Sequence, residues 1–99
     1  MGSVAQARKI ARDCTSIFTA LGDPNRQEIL IMLEKEGPLN VLQITENLNL
    51  ARPTVSHHLK ILLNAGLIKS TKKSREVFYQ SEWSEARKKL KQFMTLISS

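Results

Sequence analysis

Cysteine is nearly absent from this chain: Cys14 is the only one among 99 residues. A single thiol excludes an internal disulfide and any multi-cysteine metal site, and it suits a reducing compartment. Histidine is almost as scarce, with His57 and His58 side by side and no other. Zinc-type sites need three or four converging N, S or O ligands, so no metal and no cofactor are expected. No apolar run approaches the ~18 residues of a membrane span. The opening MGSVAQARKI has neither a signal-peptide apolar region nor the hydroxyl residue of a myristoylation motif, since Gln6 stands in its place. The expected location is the cytoplasm, with no membrane partner. Gly-rich phosphate loops are missing too. Cys14 lies in a different segment from the histidines, and Glu46 and Glu76 have no motif relation to them. A histidine-based site needs both a nucleophile and an orienting carboxylate within reach, so an enzyme is not expected.

What the chain has in quantity is positive charge, a net +6. Such a field favours an anionic partner, either nucleic acid or a lipid surface. A length of 99 residues makes one domain, 1–99, whose modest core invites completion by a second copy.

Punctuation divides the chain into segments. From Ala5 to Leu21, the residues Ala7, Ile10, Cys14, Ile17, Phe18 and Leu21 fall on one face at helical spacing. Asp23 then caps a second helix, with Pro24 in its first turn and Gly37 near its end. Asn40 and Gln43 have the spacing of a capping box, which opens a short third helix through about Leu48. Only Asn49, Leu50 and Ala51 precede a fourth helix, which begins at Pro53 and runs to about Ala65. Two helices joined so tightly make a helix-turn-helix. After Gly66, two β-prone runs, Leu67 to Ser70 and Glu76 to Gln80, flank the basic TKKSR. They predict a hairpin with a charged tip and, with no Asn-Gly at the turn, a loop longer than two residues. From Glu82 a last amphipathic helix carries Trp83, Ala86, Leu90, Phe93, Met94 and Ile97 on its apolar side.

On a wheel of the fourth helix at about 100° per residue, Val55, Leu59, Leu62 and Leu63 form the buried side. Pro53, His57, Lys60 and Asn64 point away, and Thr54 and Ser56 edge the exposed face. His58 falls at the flank of the apolar stripe, where it should pack and find one hydrogen bond. The exposed side offers hydroxyls, an imidazole and an ammonium with no acid among them, which suits base edges and phosphates in a major groove. In a helix-turn-helix the N-terminal part of the second helix reads DNA, so Arg52 joins this set. Lys72, Lys73 and Arg75 are placed to reach the flanking backbone or minor groove as a basic wing. The plain alternative for these three is a charged tip that keeps a sheet edge soluble.

The blocks ALGDPNRQEIL, ITENLNLARPTVSHHLKILLNAGLI and REVFYQ, in this order, resemble the ArsR/SmtB winged-helix transcriptional repressors from Phe18 to Tyr79. The resemblance implies a mostly α fold with a small hairpin, in the order α-α-α-α-β-β-α. It also implies a homodimer on a partly palindromic double-stranded operator, released by an inducer that the sequence leaves unknown. The first and last helices would build the dimer interface, through Ile10, Cys14, Ile17, Phe18, Trp83, Ala86, Leu90, Phe93, Met94 and Ile97. Two departures argue against metal sensing: PLNVLQITENL has no cysteine pair, and no His or Cys follows His58. The competing reading is a dimeric winged-helix module that binds protein or RNA and uses its basic surface only for steering. For Cys14 the plain reading, a small buried hydrophobe, is preferred to sensing.

Overall fold

The computed structural model describes residues 3–98. Five helices, α1 (Val4–Leu21), α2 (Pro24–Glu36), α3 (Val41–Leu48), α4 (Arg52–Asn64) and α5 (Ser84–Ser98), accompany three strands, β1 (Leu39–Asn40), β2 (Ile68–Lys73) and β3 (Glu76–Ser81).

Local chemistry sets most boundaries. The side chains of Ser3, Asp23 and Asn40 accept from the N–H groups of Gln6, Arg26 and Gln43, so α1, α2 and α3 each start on a capped turn. At Asn40 the box is reciprocal, because Gln43 Oε1 accepts from the Asn40 N–H at 2.8 Å. Gly37 ends α2 where a side chain would not fit: a Cβ there would lie 2.5 Å from the Leu33 carbonyl oxygen. Asn49 ends α3 with a left-handed φ of 53°, a conformation asparagine tolerates. That residue makes the three-residue turn into α4 possible.

The antiparallel sheet runs β1-β3-β2. β1 is unannounced in the sequence; Leu39 and Asn40 pair with Tyr79 and Phe78. The hairpin also corrects the expected longer loop. β2 extends to Lys73, leaving only Ser74 and Arg75 in the turn, with Ser74 at φ 57°. A positive φ at the first turn residue lets a two-residue turn follow the strand twist.

The core sits where α1, α2, α3 and α4 meet the sheet, around Ile17, Ile29, Leu33, Ile44, Val55, Leu59, Leu62 and Leu67. α1 and α5 pack as a pair alongside it; Phe18 and Phe93 meet edge to face with ring centroids 5.1 Å apart. The radius of gyration is 15.4 Å, against about 13 Å for a compact domain of this length. The excess is elongation, 50 Å along the major axis, and it leaves apolar side chains uncovered, among them Val4, Met94, Leu96 and Ile97. No helix among the described residues is long and apolar enough to cross a membrane.

Candidate nucleic-acid interface

α4 lies across the core with Val55, His58, Leu59 and Leu62 buried. Arg52, Pro53, Thr54, Ser56, His57, Lys60 and Asn64 are all exposed. Helical periodicity thus puts every predicted reading residue of α4 on the solvent side. No acidic residue occurs anywhere in the helix, so nothing on it repels a polyanion. Its N-cap, Ala51, offers no side-chain acceptor, and with Pro53 lacking an N–H and the Thr54 N–H donating to the Ala51 carbonyl, the Arg52 N–H is the one left over in the first turn. An uncovered positive helix end is suited to a phosphate oxygen.

His58 is buried and lies against Arg26 of α2, a residue to which no sequence spacing pointed. The guanidinium has only donors; its Nη1 reaches His58 Nδ1 at 3.2 Å, a hydrogen bond in which the ring nitrogen accepts. The same side chain donates from Nε to the Ala20 carbonyl at 3.0 Å and from Nη2 to the Thr19 carbonyl at 2.9 Å. The end of α1 and the middle of α4 are therefore tied to one point. Asp23 holds that point from below: its carboxyl sits below the ordinary 3.8, chiefly because it accepts the Arg26 N–H.

The wing residues do not form one cluster. Cα partners across a hairpin share a face, and the register pairs Lys72 with Val77 and Lys73 with Glu76. Val77 and Tyr79 line a groove with Arg52, Arg75 and Asn40, so this inner face, with Lys72, looks toward the start of α4. Lys73 lies on the outer face beside Thr71 and Phe78. Arg75, drawn from the turn, and Arg52, from the first turn of α4, border the same groove. Asn40 fastens the wing to α3, since its Nδ2 donates to Glu76 Oε1 at 3.1 Å.

Three predicted interface residues need correction. Cys14, Ile17 and Ala86 are covered by their own chain, at 0%, 0% and 1% exposure, and have no surface left for a partner. The α1 stripe is wide enough to face both α5 and the core, and these positions lie under that packing; Cys14 Sγ donates to the Lys89 carbonyl at 3.3 Å. Ile10, Trp83, Leu90 and Phe93 are half-buried, while Phe18, Met94 and Ile97 are exposed. Trp83 lies elsewhere, in a cleft with Leu30 and Ile31 of α2. Among the described residues, no three His, Cys, Asp or Glu side chains come together as a metal site would require.

The sequence profile of bacterial regulatory proteins of the arsR family matches residues 23–70, from the cap of α2 into β2. Curated relatives agree. An HTH-type transcriptional regulator of Methanocaldococcus jannaschii, itself uncharacterized, is 44% identical over 63 residues, 64% of this chain and 71% of its own length. This chain belongs to the arsR family. The transcriptional repressor SdpR of Bacillus subtilis is 38% identical over 64 residues, covering 65% of this chain and 70% of SdpR. In structure, an ArsR-like transcriptional regulator from Rhodococcus sp. RHA1 superposes with a TM-score of 0.79 at 26% identity, over 96% of this chain and 83% of that one. As an arsR-family member with this winged helix-turn-helix, the protein is a DNA-binding transcriptional regulator and not an enzyme.

Proposed function

We propose that this arsR-family regulator is a repressor that binds a palindromic operator as a homodimer, in the cytoplasm, and that its signal is not a metal ion. The observation that carries the DNA reading is the division of α4: a buried stripe fixes the helix, and an acid-free face of Arg52, Thr54, Ser56, His57, Lys60 and Asn64 is left to solvent. Arg52 and His57 would read bases or phosphates in the major groove. Lys72, Lys73 and Arg75 would hold the flanking backbone. The uncovered apolar side chains at the far ends of α1 and α5 support dimerisation, and a two-fold dimer demands a two-fold operator. Repression is the activity of the SdpR relative.

The test is titration against the duplex upstream of the protein's own gene and against random duplex, at physiological salt. A large preference for the first supports the operator reading. Equal affinities that salt abolishes would favour a protein- or RNA-binding module instead. Within the operator complex, His57→Ala should alter preference among sequences by roughly 1–3 kcal/mol at the contacted base pair. Lys73→Gln should weaken all duplexes alike and flatten the salt dependence.

A further inference from the structure

A cleft of about 490 Å³ opens between α2, the end of β3 and the start of α5, on elements that take no direct part in the DNA reading. Its size falls within the roughly 300–1,000 Å³ of small-molecule sites. One part of its lining is apolar, made by Leu30, Ile31 and the indole of Trp83. Ile31 is 57% exposed although it is a large aliphatic residue beside an aromatic ring. Another part is charged, with Lys35 and Arg87. Among the described residues the ion pairs are Lys9–Asp13 and Lys88–Glu85, so neither cation of the cleft has a carboxylate partner.

The acids in the lining are Glu34 and Glu82. Glu82 is committed elsewhere: its Oε1 accepts from the Ser84 N–H at 3.2 Å and from the Ser84 hydroxyl at 3.0 Å. The lining therefore carries two cations and two acids, with neither cation drawn into an ion pair. The cleft also contains Ser81, whose Oγ is buried without a hydrogen-bond partner.

We infer that the cleft is a binding site for a small amphipathic carboxylate, its apolar part laid against Trp83, Leu30 and Ile31 and its carboxylate held by Arg87 and Lys35. Arginine offers a fork of donors that matches a carboxylate, and the indole face supplies apolar area.

Trp83 is the single tryptophan, so its indole N–H resonance in nitrogen-proton correlation NMR reports on this site alone. The full chain, without DNA, is titrated with benzoate and octanoate, and with benzamide and benzylamine as neutral and cationic controls. Both acids should shift the resonance saturably, with benzamide and benzylamine weaker by about tenfold or more. Arg87 and Lys35 are exposed, so Arg87→Gln and Lys35→Gln should preserve the fold; each should weaken the acids and leave benzamide unchanged. A resonance that neither acid moves, equal response to benzamide, tighter binding of benzylamine, or acids that bind both variants as they bind the wild type would each overturn the assignment. With DNA absent, failure here leaves the operator reading untouched.

Discussion

Arg26 Nη1 lies 3.2 Å from His58 Nδ1, so the reading helix is held by a side chain that also closes the end of α1. Arg26 is a positioning residue, remote from the exposed face of α4. Arg26→Gln should destabilise the fold by roughly 1–3 kcal/mol, because it strands the partly buried acceptors at Ala20 and His58. Urea unfolding measures that loss. Operator affinity should fall with an unchanged salt slope, since no phosphate contact is removed. A slope that flattened would mean that Arg26 touches DNA itself.

The Asp23 carboxyl gives the fold a defined acid sensitivity. Its pKa in the folded chain is lowered from the ordinary 3.8, first by the Arg26 N–H and then by the nearby positive charge of Arg26. A carboxyl lowered by folding stabilises the fold fully above its unfolded pKa. That contribution is lost as pH falls through the lower folded value. Asp23→Asn retains a capping oxygen but cannot titrate. The stability gap between wild type and variant should therefore be constant near neutrality and shrink below pH 3.8, as followed by denaturant unfolding across that range.

Arg52 and Arg75 belong to different elements but border one groove, so their contributions to DNA binding should not be independent. Side chains that share a partner show coupling of about 0.5–3 kcal/mol in double-mutant cycles. Arg52→Gln with Arg75→Gln should cost less than the sum of the single changes if both draw on one phosphate. Strict additivity would assign them separate phosphates.

Dimerisation should depend on the exposed end of the α1–α5 pair. Ile97→Glu changes an aliphatic residue that is 67% exposed, so it should leave the monomer folded and shift sedimentation from dimer to monomer. Cys14→Ala should do the reverse, lowering stability without changing the oligomeric state, because Cys14 has no exposed surface.

The features legible in the sequence were those whose partners lie within a turn or two. Asp23 with Pro24, the box of Asn40 with Gln43, and the solvent face of α4 all obey short-range rules. What escaped depends on contacts distant in the chain. β1 exists because Leu39 meets Tyr79, and two residues carry no period of their own. Arg26 reaches a residue 32 positions away, and no spacing encodes that. Cys14, Ile17 and Ala86 were assigned to a partner because an apolar stripe says only that something covers it. In this case the cover is the same chain.

Lys72 and Lys73 are neighbours in sequence yet occupy opposite faces of the hairpin, pinned by the two-residue turn at Ser74 and Arg75. Parity is therefore a design variable of the wing. One residue inserted into β2 ahead of Lys72 would exchange the faces of the two lysines, sending Lys72 toward Phe78 and Lys73 toward Arg52. Two inserted residues would restore the original arrangement on a longer arm. Length changes that preserve function in this hairpin should come in even steps.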